Sequence, residues 1–127
     1  MNPAGGRFRV FVYGTLRRGG SNAFRMDAGE WLGSATVRGR LYKIDWYPGL
    51  VLDPAGDPIP GDLFEVGVAQ LAELDEFEGV SAAEVEGSVY RRVETIATRP
   101  DGSTVTAWIW EWIGPVDEAR RTTDWLA

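Results

Sequence analysis

The chain has 127 residues, a net charge of −6, and neither cysteine nor histidine. Those two absences exclude disulfides, thiolate and imidazole metal sites, a cysteine nucleophile and any Ser-His-Asp triad. Acid–base chemistry near neutral pH then falls to a carboxylate of raised pKa, with tyrosine or the single lysine, Lys43, in reserve.

The acidic balance argues against a nucleic-acid face, and no apolar run reaches the roughly 20 residues of a spanning helix. Hydrophobic residues make up 44% of the chain and aromatics 12%, enough for one buried core, so a single domain over residues 1–127 is expected. The opening MNPAGGRFRV has no apolar signal core. A soluble, cytoplasmic protein is expected.

In chain order, Arg7–Tyr13 reads as a strand. Its run of Phe8, Val10, Phe11 and Val12 leaves little room for a solvated face, which suggests a central position. It ends in YGTLRRGG. Such a glycine turn can simply reverse the chain. It can also expose backbone N–H groups where Gly14 lets a ligand come close, forming a nest for a carboxylate or an oxyanion. The spacing fits neither a phosphate loop nor a dinucleotide fingerprint, so a nucleotide site is rejected.

Residues 21–28 suggest a short helix capped by Ser21 or Asn22. Trp31–Ile44 reads as a long strand interrupted at Gly33 and Gly39. The stretch YPGLVLDPAGDPIPGDLFEV reads as a short strand, a proline- and glycine-rich loop, and a strand over Gly61–Val66. Val68–Phe77 is the clearest helix, with Gly79 as its stop. Strands follow at Val89–Thr98 and Thr104–Trp112, joined by PDGS as a hairpin turn. The segment PVDEARRTTDWLA suggests a last helical turn or two, with Trp125 packed on the sheet. The class is α+β: a mixed sheet closing toward a barrel, covered by two or three helices.

The helix VAQLAELDEFEG places two carboxylates on its apolar side. With about 100° per residue and Leu71 at zero, the apolar arc of Val68, Leu74 and Phe77 centres at about 330°. Glu73 and Glu76 fall outside it, while Glu78 falls at about 340° and Asp75 at about 40°. A carboxylate aimed at a core must be paired, protonated or in use, and burial raises its pKa into a range suited to proton exchange. Alternatively, the helix unwinds at Gly79 and the wheel does not apply to Glu78. Tyr90 and Arg92 share one face of the following strand, as do Trp108, Trp110 and Trp112 on the next, where a covered sheet face is the plain reading.

Taken together, VFVYGTLRRGG, GRLYKIDWYPGLV, GDLFEV, LDEFEG and YRRV resemble the gamma-glutamylcyclotransferase-like family, nearest to the branch of the gamma-glutamylamine cyclotransferases. The resemblance runs in order from Val10 to Val93 and more loosely to Trp112. It implies a small mixed barrel with flanking helices. It also implies release of 5-oxoproline from a small gamma-glutamyl amine or amide by attack of the substrate's own alpha-amine, with no metal or cofactor. The family's glutamyl-holding loop falls on Tyr13, Gly14, Thr15 and Leu16. Its catalytic glutamate falls on Glu78, and its YxR on Tyr90 and Arg92 in a supporting or substrate-contacting role.

A monomer suffices for such a reaction, and no nucleic acid or membrane enters it. The eleven residues GVSAAEVEGSV between Glu78 and Tyr90 make a longer link than that branch has. A surface loop beside the site is expected there, able to reshape the leaving-group pocket. The competing expectation is a non-catalytic domain on the same fold that binds a small carboxylate or a protein partner.

Overall fold

The computed structural model describes residues 7–79 and 89–126. Most of the link between Glu78 and Tyr90, residues 80–88, lies outside the described residues. The elements are β1 (Arg7–Val12), β2 (Glu30–Lys43), β3 (Pro48–Leu52), β4 (Asp57–Gly67), α1 (Val68–Phe77), β5 (Tyr90–Thr98), β6 (Thr104–Trp112) and β7 (Arg121–Thr122). Two single 3-10 turns cover Ala23–Met26 and Glu118–Arg120.

Strand order is β3-β2-β4-β1-β6-β5, and β5 pairs back onto β2 through Thr36 and Thr98. That last pairing closes a five-stranded barrel of β2, β4, β1, β6 and β5. All its pairings are antiparallel except β1 with β6, which is parallel at Val10 and Trp108. β3 and β7 lie outside the ring, both paired to β2.

β1 accounts for the position of the core. Its residues alternate between two apolar clusters. Val10 and Val12 join Val66, Leu71, Leu74 and Trp110 in the layer between barrel and helix. Phe11 and the following Tyr13 join Leu41, Ile59, Leu63 and Ile109 in the other cluster. Both faces of β1 are therefore covered, which is why its sequence is a continuous apolar run. From α1, Leu71 and Leu74 are buried, each contributing about 1.5–3 kcal/mol relative to exposure.

Several elements depart from the sequence reading. The expected short helix at residues 21–28 is one 3-10 turn, and Asn22 at its start makes no side-chain cap. Its amide instead donates to Thr15 Oγ1, and its carbonyl accepts from Arg25 Nε. Hence α1 is the only described helix longer than one turn. Gly33 marks a bulge in β2, whereas Gly39 stays within that strand.

β4 begins at Asp57, not Gly61, because its prolines are tolerated. Pro58 and Pro60 lie two apart, so their missing N–H groups share one edge. β1 has already ended on that side, its last pairing being Val12 with Asp62. The segment after Trp112 holds one 3-10 turn and then β7, with Trp125 packed against the second cluster. Among the described residues, no helix is long and apolar enough to cross a membrane.

Candidate active site

One end of the barrel opens into a cavity of about 210 Å³. Its buried floor comes from the end of β1 and the turn after it: Phe11, Val12, Tyr13, Gly14, Thr15 and Leu16, with Tyr90 of β5 and Trp110 of β6. The rim is Trp46 and Tyr47 from the β2–β3 connection, Pro48 at the start of β3, Phe77 at the end of α1, and Val89, while Glu78, next after Phe77, lines the cavity between rim and floor. Six of the seven residues expected at the site thus line one space. Arg92 does not.

Helix geometry reaches Glu78 without unwinding. Its φ and ψ are −80° and −3°, in the right-handed helical region, and its N–H donates to Leu74 O at 2.9 Å. The left-handed step falls one residue later, at Gly79 with φ +75°, the usual C′ glycine. The carboxylate therefore keeps the direction the helical wheel assigns it. Among the described residues, it makes no side-chain hydrogen bond or ion pair. Burial raises its pKa to about 7, with the charge of Asp75 adding to the rise.

Asp75 has the other fate of a carboxylate aimed inward. Both its oxygens accept from Arg92 Nε, at 2.8 and 3.1 Å, and Trp110 Nε1 donates to Oδ1 at 2.9 Å. The Arg92 guanidinium lies 4.5 Å from the Trp108 ring centroid. Arg92 is thus held by the helix and by the tryptophan strand, just outside the cavity.

The two tyrosines are fixed by their hydroxyls. Tyr13 donates to Trp110 O at 2.8 Å and accepts from Leu50 N at 3.1 Å. Tyr90 donates to Pro48 O at 2.5 Å, joining β5 to the start of β3. Burial pushes both phenol pKa values up, so both stay protonated donors.

The glycine turn is braced from below. Arg17 N donates to Gly14 O, Asn22 N to Thr15 O, and Arg18 N to the buried Asp62 carboxylate, which also accepts from Trp31 Nε1. Among the described residues, the N–H groups of Gly14, Thr15 and Leu16 donate no hydrogen bond. The two arginines of the motif point to other partners: Arg17 pairs with Asp124 at 2.8 Å, and Arg18 lies 3.9 Å from the Trp31 ring centroid. A Cβ at Gly14 would come within 2.5 Å of Pro48 Cγ. The glycine is therefore required by packing on β3, a reason the sequence alone does not supply.

Trp46, Tyr47 and Phe77 were missed as site residues. Tyr47 contacts Trp46 edge-on at 5.0 Å and approaches Tyr90 at 6.4 Å. The available signal was an aromatic pair in a strand connection, KIDWYPG, where polar residues are the norm.

Residues 10–127 match the family model described as "Gamma-glutamyl cyclotransferase, AIG2-like". A gamma-glutamylcyclotransferase family protein of Escherichia coli (strain K12), YtfP, is 35% identical over 121 residues, which cover 93% of this chain and 96% of that protein. A gamma-glutamylaminecyclotransferase of Rattus norvegicus is 33% identical over 81 residues, 55% of this chain and 54% of that one. The crystal structure of an AIG2-like protein from Mus musculus superposes with a TM-score of 0.68 at 23% identity, covering 88% of this chain and 86% of that one, a likeness of fold. The chain belongs to the gamma-glutamyl cyclotransferase, AIG2-like family. It is a gamma-glutamylcyclotransferase-like enzyme.

Proposed function

We propose that this enzyme, acting as one domain and as a monomer in the cytoplasm, releases 5-oxoproline from a gamma-glutamyl amine or related gamma-glutamyl amide, with Glu78 as general acid and base. The observation that carries the reading is the Glu78 carboxylate, unpaired among the described residues and desolvated beside a cavity whose floor is the Tyr13–Leu16 turn. Family membership supports cyclotransferase chemistry in general, and the rat relative's name supports the amine class.

The reaction is an intramolecular displacement. The alpha-nitrogen forms a bond to the gamma-carbonyl carbon, and the bond from that carbon to the leaving nitrogen breaks. The alpha-ammonium starts with three protons and the ring nitrogen of 5-oxoproline keeps one. Two protons therefore pass to the leaving nitrogen, which departs as an ammonium ion. A carboxylate with a pKa near 7 can take and return each of them without a large free-energy step. The ammonium opposes the burial shift, favouring the ionised form that must accept the first proton.

Orientation is the pocket's main task, because ring closure needs the glutamyl chain folded toward its own carbonyl. In this reading the N–H groups of Gly14, Thr15 and Leu16 hold the alpha-carboxylate or the developing oxyanion. Tyr13 and Tyr90 shape the floor. Arg92 acts through Asp75, fixing the helix end that carries Glu78.

The test is 5-oxoproline release from gamma-glutamyl amines by the wild type and by Glu78→Gln. A loss of at least 10³-fold in kcat, with the fold retained, is expected for removal of the proton relay. Full turnover by the variant would refute the mechanism, and binding of 5-oxoproline without turnover by the wild type would favour a binding domain.

A further inference from the structure

The cavity's two zones differ in chemistry. The floor offers backbone N–H groups, and the Glu78 carboxylate lines the cavity beside it. The rim offers Trp46, Tyr47, Phe77 and Val89, with no charged group among them. Trp46 is 62% exposed, an indole standing at the mouth with its apolar surface in water. Isolated exposed apolar residues are common, but this one continues an aromatic row through Tyr47 to Tyr90 and Trp112.

The nearby arginines are otherwise occupied. Arg92 is bound by Asp75. Arg25 donates to Asn22 and lies 4.2 Å from the Phe77 ring centroid without lining the cavity. Arg17 and Arg18 serve Asp124 and Trp31.

A gamma-glutamyl substrate has all its head-group charges at one end, in the alpha-ammonium and alpha-carboxylate. Those are the groups the floor and Glu78 can meet. The leaving amine extends toward the rim, where, with Glu78 facing the alpha-ammonium, a carboxylate or ammonium would lose water and, among the described residues, gain no further partner. An alkyl or arylalkyl chain would instead bury apolar surface against the rings.

We propose that the leaving group is an uncharged, apolar primary amine, an alkyl or arylalkyl monoamine, read by Trp46, Tyr47 and Phe77. This rests on the cyclotransferase reading above and narrows its substrate class.

The experiment uses matched gamma-glutamyl conjugates of methylamine, pentylamine, 5-aminopentylamine and the epsilon-nitrogen of lysine. The last three share one five-carbon chain, ending in nothing charged, in an ammonium, or in both an ammonium and a carboxylate. The expected kcat/KM rises about two- to fourfold per methylene from methyl to pentyl, the range set by partial to full burial of each group. Both charged conjugates fall at least tenfold below pentylamine. Trp46→Ala shrinks the pentyl-to-methyl ratio, and Trp46→Leu restores part of it.

Equal or faster turnover of either charged conjugate overturns the proposal, the 5-aminopentylamine case indicating a cation held on the Trp46 ring instead. A pentyl-to-methyl ratio near one overturns it too. Should none of the conjugates release 5-oxoproline, the reaction reading fails on its own. Quenching of tryptophan fluorescence then still ranks the four by affinity, and equal Kd values would sink the apolar assignment.

Discussion

Two carboxylates sit one helical turn apart on the inward face of α1, and the fold treats them differently. Asp75 is matched by Arg92 and Trp110, while Glu78 faces the cavity with no partner among the described residues. The wheel placed both inside the apolar arc, so the presence of misplaced charges was legible. Which of them is neutralised was not, because that depends on where β5 and β6 bring Arg92 and Trp110.

The consequence for stability has a definite sign. Glu78 titrates at about 7 in the folded state against an ordinary value of 4.5, so between those values the folded protein holds the extra proton. The contribution of Glu78 to stability is therefore intact below pH 4.5, declines as pH rises to about 7, and stays low above it. The difference amounts to about 3 kcal/mol at most. Glutamine mimics the protonated acid and does not titrate. Urea unfolding of Glu78→Gln is expected to match the wild type at pH 4.5 and to show a higher midpoint at pH 8. Equal midpoints at both pH values would mean that the carboxylate pays no desolvation cost.

At the level of elements, local pattern was informative where local forces decide. The bounds of α1 follow from its apolar spacing and Gly79, and those of β6 from its β-branched and aromatic run ending in PDGS on one side. Pattern failed where a neighbour decides. The prolines of β4 are permitted only because β1 stops short of them.

Gly14 is the sharper case, because its reason lies 34 residues away in Pro48, a sequence separation of the kind only tertiary packing resolves. The added carbon of Gly14→Ala would meet Pro48 Cγ at 2.5 Å and Cδ at 2.8 Å, forcing the turn and β3 apart. Overpacking of this kind costs about 1–3 kcal/mol. Pro48→Ala removes the two atoms in conflict and keeps the carbonyl that accepts from Tyr90. The double variant Gly14→Ala/Pro48→Ala is therefore expected to be more stable than the sum of the two single changes implies, by at least 1 kcal/mol in a denaturant cycle. Strict additivity would show that the glycine serves the ligand alone.

Across the whole molecule, the segment after Trp112 ties the glycine turn to β2 and β4. β7 pairs with β2 at Leu41 and Tyr42, the Tyr42 hydroxyl donates to Glu118, Arg121 reaches Asp57, and Asp124 holds Arg17 in the glycine turn. None of these partners was legible in the sequence, where the segment suggested helical turns and a packed Trp125.

The Arg17–Asp124 pair differs from the surface pair Arg7–Glu65 in solvent access. The Arg17 side chain is 14% exposed, against 43% for Arg7. Removing Glu65 leaves a guanidinium that water can take over, so Glu65→Gln is expected to change stability by less than about 1 kcal/mol. Asp124→Asn leaves a mostly buried cation with one hydrogen-bond acceptor fewer and no opposing charge. Its cost is about 2–3 kcal/mol, below the range for fully buried pairs because Asp124 itself is partly exposed. Arg17 also donates its backbone N–H to Gly14 O, so strain at that side chain passes directly into the turn on the cavity floor. Asp124→Asn should therefore raise KM for a gamma-glutamyl amine several-fold with a smaller change in kcat, since Glu78 sits on a different element. A stability loss with KM unchanged would show that the segment braces the barrel without reaching the site.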